Sequence, residues 1–215
     1  MTPGPTLVIR CPLCSGLAKY TTVASGNTFG AVYYTDGKRV APMLPATPSV
    51  VRCAACRGVF WRSAATEVGQ FDEQREDAVA VGADWLKAGY LHEPDEGEHL
   101  AALDRLIASS PGEERGIRLV AWWRGNDRHR TASPTPAPDN PKVVSRRHAN
   151  MRQLIALLDT AEPSDQLMRA EALRQLGEFE QATTVLSKPF PPEYDTALSR
   201  LLGLCAQRNS MLQQL

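Results

Sequence analysis

No run of about eighteen apolar residues occurs in this chain of 215 residues, so no membrane-spanning helix is expected. The opening MTPGPTLVIRCPLC has no basic segment followed by a long apolar core, and it does not read as a secretory signal. The chain also lacks a Gly-rich phosphate loop, a Gly-x-Ser-x-Gly elbow and a His-Glu-x-x-His pair. His92, His99, His129 and His148 have no metal-ligand spacing and read as surface residues. With no catalytic constellation, a non-enzymatic role is expected. Cysteine is scarce at five residues, yet four of the five are patterned. A cytoplasmic chain keeps its thiols reduced, which favours metal ligation over disulfides.

The net charge of zero conceals a strong asymmetry. Residues 1–62 carry seven basic groups against the single acid Asp36, a balance of +6. Residues 63–130 carry eight basic and fourteen acidic groups, a balance of −6, and residues 131–215 are neutral. Either the first two segments engage one another or each faces a partner of opposite sign.

CPLCSG at 11–16 and CAACRG at 53–58 share the form Cys-x-x-Cys-x-Gly. A tight turn sets two sulfurs on one side, and the glycine is expected to supply the positive φ with which the chain leaves the turn. Two such turns supply four thiolates, the closed tetrahedral set of a structural zinc site, with no open position for substrate or activated water. Neither pair opens a helix in a βαβ setting, as a thioredoxin-type dithiol requires. The 38 residues between Cys14 and Cys53 contain Asp36-Gly37 between two strand-like runs. That pattern predicts a hairpin over about residues 29–42 with a two-residue turn, returning the chain to the second pair. SVVRC and GVFWR are predicted to be strands entering and leaving the second pair, completing a small three- or four-stranded sheet.

This arrangement resembles the zinc-ribbon superfamily, with knuckles of the rubredoxin type. The resemblance implies Cys11, Cys14, Cys53 and Cys56 as ligands of one structural Zn²⁺ per chain. The same four-sulfur set also accepts a rubredoxin-like iron. Cys205, alone in LLGLCAQ, is expected to be a small buried hydrophobe.

Residues 64–130 read as mostly helical. Asp95 with Glu98, and Ser110 with Glu113, are two capping-box patterns, the second with Pro111 at the first helical position. Ile117, Leu119, Val120, Ala121, Trp122 and Trp123 cover nearly every side of the second of these helices, which predicts burial. Trp122, Trp123, Arg124, Asn126, Asp127 and Arg128 form a candidate site for stacking a base or aromatic ligand. The simpler reading is a core helix that stops at Gly125 and Asn126. A further helix is expected over residues 70–88, including Trp85.

Four prolines in TASPTPAPDNP mark a connector, after which the periodicity is helical. Met151, Leu154, Ile155 and Leu158 fall on one face. SDQLMRAEALRQLGEFEQATTVL looks like the centre of a tetratricopeptide repeat, with Ala172, Leu173 and Leu176 closing one helix, a turn at Gly177, and Phe179 and Ala182 beginning the next. One hairpin is too short for an independent solenoid, so the middle segment or another subunit is expected to cover it. PPEYDTALSRLLGLCAQ reads as a final helix burying Tyr194, Leu198, Leu201 and Leu202. The order of ribbon, AWWRGND helix and AEALRQLGEFEQA hairpin also resembles an uncharacterised bacterial protein group, which brings no activity with it.

The expected fold is therefore α+β. A zinc-ribbon sheet at 1–63 precedes an acidic helical segment at 64–130, a Pro-rich linker at 131–144 and a tetratricopeptide-like bundle at 145–215. The expected role is a cytoplasmic, non-catalytic zinc protein serving as an interaction scaffold for a protein partner or a second copy of itself. Two alternatives stand beside it. One is a nucleic-acid-binding ribbon using Phe29, Tyr33, Tyr34, Phe60 and Trp61 among Lys38, Arg39, Arg52, Arg57 and Arg62. The other is a mononuclear iron electron carrier.

Overall fold

The computed structural model describes residues 1–72, 82–130 and 139–215. The fold is α+β, with a strand-rich N-terminal part and a larger helical remainder. The chain divides into two compact units. The first comprises residues 1–31 and 41–107; the second comprises residues 32–40 and 108–215. These units cut across the four consecutive segments expected from sequence, because a short piece from between the two cysteine pairs belongs with the helices.

In the first unit, β1 (Thr2–Arg10) and β2 (Leu17–Ser25) run antiparallel on either side of the first cysteine pair. β7 (Thr66–Phe71) lies antiparallel on the other edge of β1, and the two-residue β8 (Gly89–Tyr90) joins β2 in parallel. The sheet order is β7-β1-β2-β8. β5 (Val50–Arg52) and β6 (Val59–Trp61) form a separate ribbon around the second pair, as the flanking apolar runs predict. The strand at 66–71 corrects the all-helical expectation for residues 64–130. Its alternation is short, and it is paired only because β1 offers an open edge. Of the helix expected over 70–88, residues 73–81 lie outside the described residues, and only α1 (Ala83–Lys87) is helical.

The apolar cluster at the cysteine pairs consists of Ile9, Cys11, Ala18, Val51, Cys53 and Phe60, flanked by Tyr20, Ala65 and Leu91. α2 (Glu96–Asp104) opens with the expected capping box. Asp95 accepts from the Glu98 N–H at 2.8 Å, and Glu98 accepts from the Asp95 N–H at 3.1 Å. His99, expected at the surface, is buried instead, and its Nδ1–H donates to the Asp95 carbonyl at 2.9 Å. That bond satisfies the ring locally, so the histidine is accommodated in the interior.

The second unit is helical. α3 (Pro111–Asn126) is capped by Ser110, whose hydroxyl accepts from the Glu113 N–H at 3.2 Å. Glu113 reaches back one residue further than a capping box requires, accepting from the Ser109 N–H at 2.6 Å and the Ser109 hydroxyl at 2.7 Å. The helix does not stop at Gly125. Gly125 and Asn126 are buried within it, and a 3₁₀ turn continues over Asp127–His129. α4 (Pro141–Leu157) starts inside the expected linker, with Asn140 as its N-cap and Pro141 at the first position. Residues 131–138 of that linker lie outside the described residues.

α3 packs along α4 and reaches α5 (Pro163–Gln175) through Trp122. Trp122 is fully buried among Met151, Leu154, Leu158 and Ala172. α5 and α6 (Phe179–Leu186) meet across a turn at Gly177, whose φ of 80° is left-handed. α7 (Asp195–Ala206) completes a second core of Ala170, Leu173, Ala182, Leu186, Leu201 and Cys205. Cys205 is buried there as an apolar residue.

β3 (Val32–Tyr33) and β4 (Arg39–Val40) form the predicted hairpin, shorter than the 29–42 span expected. The Tyr34 N–H donates to the Lys38 carbonyl at 3.0 Å, so the turn has three residues and not two, with Gly37 left-handed at φ 79°. The C-terminal residues add a third, short partner. The Thr35 N–H donates to the Gln213 carbonyl, and the Leu215 N–H to the Tyr33 carbonyl, each at 2.9 Å.

A fully buried ion pair anchors this edge. Arg174 grips Glu171 through Nε and Nη2 at 2.7 Å each, and Nη2 also donates to the Met211 carbonyl at 3.0 Å. Removing one partner strands the other charge in the interior. Arg174→Met is therefore expected to destabilise the second unit by about 3–5 kcal/mol in chemical denaturation.

Acid is expected to act on the first unit through His99. Burial holds the ring below its usual range, against the opposing pull of the Asp95 carbonyl and the Asp95 and Glu98 charges. Above pH about 6.5 the ring is neutral in both folded and unfolded chains and adds no pH dependence. Below that, the unfolded chain binds a proton that the folded chain refuses, so stability falls by up to about 1.4 kcal/mol per pH unit. Denaturation midpoints at pH 7.5 and 5.5 should differ less for His99→Gln than for the parent chain.

Candidate metal centre

Each cysteine pair is carried by a turn between two antiparallel strands, and the two turns repeat one hydrogen-bond pattern. The Cys11 N–H donates to the Gly16 carbonyl at 2.9 Å, and the Ser15 N–H to the Cys11 carbonyl at 2.9 Å. In the second turn, the Cys53 N–H donates to Gly58 and the Arg57 N–H to Cys53, each at 3.0 Å. The left-handed residue is not the glycine but the one before it: Ser15 and Arg57 both have φ 60°. The glycines are needed for a different reason. A Cβ on Gly16 would stand 3.3 Å from the Cys14 sulfur. On Gly58 it would stand 3.3 Å from the Cys56 sulfur and 2.4 Å from Leu13 Cδ1. The chain passes beside the second sulfur of each pair so closely that a Cβ would press on it.

The turns bring all four sulfurs together. Cys11, Cys14, Cys53 and Cys56 place their Sγ atoms within 4.8 Å of one another. Across the two turns, Cys11 and Cys56 are 4.0 Å apart and Cys14 and Cys53 are 3.9 Å apart. A disulfide needs about 2.05 Å, and all five cysteines are free. A Zn–S bond of about 2.3 Å in a tetrahedron requires sulfur–sulfur edges of about 3.8 Å, so the four residues fit a tetrahedrally held ion.

The site is half buried by design. The first cysteine of each pair, Cys11 and Cys53, belongs to the core, and the second, Cys14 and Cys56, is exposed. Burial pushes the Cys11 thiol up to about 12, against the lowering effect of N–H donors from Leu13 and Cys14. A bound cation reverses that balance, because it stabilises the thiolate directly. A metal ion entering the centre would therefore displace protons.

The other candidate residues separate into the two units. Phe60 is buried in the first unit, and the Trp61 Nε1–H donates to the Ile107 carbonyl at 2.8 Å. Arg62 donates to the Pro48 carbonyl at 2.9 Å and to the Tyr20 hydroxyl at 3.1 Å. Arg52 pairs with Glu98 at 2.5 Å. Burial works against the Glu98 carboxylate, but the Asp95 N–H and Arg52 outweigh it and hold the group below its usual range. Phe29 is 84% exposed and Arg57 is exposed. Tyr33, Tyr34, Lys38 and Arg39 belong to the second unit.

The AWWRGND stretch is structural. The Trp122 Nε1–H donates to Gln175 and the Trp123 Nε1–H to the Asp36 carbonyl, each at 2.9 Å. Asn126 and Arg130 both donate to the Asp36 carboxylate. Lys38 pairs with Asp127 at 2.6 Å. Sequence reasoning missed Asp36 as a buried anchor, because Asp-Gly at a hairpin tip carries a turn signal that masks any other role. His92 is exposed, and His129 and His148 are half-buried; none joins the sulfur cluster.

Adjacent residues of the second turn should respond oppositely to substitution. Gly58→Ala is expected to weaken metal retention modestly, since the added carbon would stand 3.3 Å from the Cys56 sulfur, while the exposed Leu13 side chain can turn aside. Arg57→Gly removes about 1–2 kcal/mol of left-handed strain, offset in part by chain entropy, and should retain metal as the parent does. Chelator competition on the two variants reads both effects.

Family models, curated proteins and solved structures were all compared with this chain, and none matches it.

Proposed function

We propose that the protein is a non-catalytic metal-binding scaffold, whose four-cysteine centre takes one Zn²⁺ per chain as a structural ion. The carrying observation is the closed sulfur cluster: four thiols within 4.8 Å, two of them embedded in the core. A tetrahedral four-sulfur site leaves no coordination position for substrate, so the ion's role is to hold the two turns together. The buried apolar cluster beside the two core cysteines is small, consisting of Ile9, Ala18, Val51 and Phe60, which makes metal a major part of the folding energy there.

The scaffold reading is supported by the second unit, where the α5–α6 hairpin is tetratricopeptide-like in its small residues Ala172 and Ala182 and its left-handed Gly177. Its partner would be another protein or a second copy of this chain. Reduced thiols suit a cytoplasmic setting. Against the nucleic-acid alternative stand the internal engagements of Arg52, Arg62, Lys38, Phe60 and Trp61, which occupy groups that a polyanion would need.

Metal analysis of protein purified without tags or added metal tests the proposal. One zinc per chain in a colourless sample is the expected result; a red sample with visible absorption establishes the iron carrier. Cys53→Ser should lose the metal and loosen the first unit while most helical circular dichroism persists. A metal-free parent chain that remains fully folded, with its thiols freely alkylated, overturns the reading.

A further inference from the structure

The hairpin at 32–40 lies in sequence between the two cysteine pairs but is built into the helical unit. Its attachment there is specific. Each oxygen of the fully buried Asp36 carboxylate accepts two hydrogen bonds. One oxygen takes the Lys38 N–H at 3.1 Å and Arg130 Nη1 at 3.2 Å; the other takes Asn126 Nδ2 at 2.9 Å and Arg130 Nη2. One residue earlier, the Thr35 hydroxyl donates to Glu171 at 2.7 Å and accepts from the Gln213 N–H at 3.3 Å. Glu171 is itself the partner of buried Arg174. This is a built receptor for the hairpin tip, formed by α3, α5 and the C-terminal residues.

The chain reaches that receptor and returns within the 38 residues that separate Cys14 from Cys53. A metal ion bound by both cysteine pairs ties the two ends of this segment at one point. Confining the ends removes conformational freedom that the free segment would otherwise lose when its tip docks. Docking the tip likewise restricts where the ends can go, so that less freedom is lost when the sulfurs converge on a metal. The two events lower each other's entropic cost, and linkage makes the effect reciprocal.

We propose that metal binding at the four cysteines and seating of the 32–40 hairpin on the helical unit are thermodynamically coupled, with the hairpin segment itself as the link. The inference rests on the metal-binding reading. It adds that the ion controls an edge of the helical unit to which it makes no bond: the Tyr33–Thr35 edge and the C-terminal residues paired to it. Loss of metal loosens that edge, and loss of the Asp36 clamp weakens the metal site.

The test measures Zn²⁺ affinity by chelator competition on the full chain and on two variants. Asp36→Asn breaks the charged clamp and is expected to weaken Zn²⁺ binding roughly fivefold or more. Thr35→Val removes the hydroxyl's bonds to Glu171 and to the Gln213 N–H while leaving the Asp36 clamp in place, and should weaken it about twofold, with helical circular dichroism retained. In the reciprocal experiment, chelating the metal from the parent chain should speed hydrogen exchange at the Thr35 and Leu215 amides, while amides within α5 and α6 stay protected. Parent-like Zn²⁺ affinity in both variants, or unchanged exchange at those two amides after chelation, overturns the coupling and leaves the metal-binding reading intact. A parent chain that takes up no metal overturns both. If Asp36→Asn loses its helical signal altogether, Thr35→Val and the exchange experiment still decide.

Discussion

Four thiols within 4.8 Å of one another form an arrangement that one bound cation would satisfy. Ionised, they would place four negative charges in contact, two of them in the core. Protonated, they are weak hydrogen-bond partners that contribute little order. The rise of the Cys11 thiol to about 12 expresses the cost of the charged form when no cation is present. One divalent ion would remove the repulsion, satisfy all four sulfurs and join the β1–β2 and β5–β6 ribbons. These ribbons belong to different sheets and share only a small apolar core. The first unit is thus organised around a demand for positive charge.

The same chain segment meets a second, independent demand. Asp36 is fully buried and its carboxylate accepts four hydrogen bonds, which offset the desolvation of the charge. Arg130, Asn126 and Trp123 all come from α3 or the turn that follows it, so the polar stretch after the tryptophans serves the hairpin and not a ligand. Asp127, next along, is held below the usual carboxylate range because Lys38 and Arg130 outweigh the effect of burial. The hairpin is therefore fixed by charge at its tip, while apolar packing dominates elsewhere in the helical unit.

What could be read from sequence follows from how local each signal is. The two cysteine pairs, the strands around the second pair, the Asp95 and Ser110 caps, and the helix faces of Met151, Leu154 and Leu158 depend on neighbours within a few residues. Each is found in the structure. The strand at 66–71 was illegible because its stability comes from β1, almost sixty residues earlier. His99 was misassigned because a buried histidine with a local carbonyl partner looks, in sequence, like a surface one. The glycine of each knuckle has a cause that its letter does not disclose, since a close approach to a sulfur and a positive φ both favour the same residue. Membership of the hairpin in the helical unit had no local signal, because Asp36 meets α3 some ninety residues later.

The charge asymmetry shows what such long-range pairing does to a functional argument. Counted along the chain, a +6 segment invites a polyanion, and the −6 segment beside it invites a polycation. In the folded units, Arg52 meets Glu98, Lys38 meets Asp127, and the lone acid of the basic segment, Asp36, meets Arg130. The two segments answer one another through side chains that are half-buried or fully buried, where water screens little and an ion pair fixes geometry. A polyanion competing for Arg52 or Lys38 would have to uncover Glu98 or Asp127, so neither base is a free charge to be counted toward recognition. The sequence split is better understood as the record of which segments must find each other during folding. That makes the ionic pairs part of the architecture of each unit.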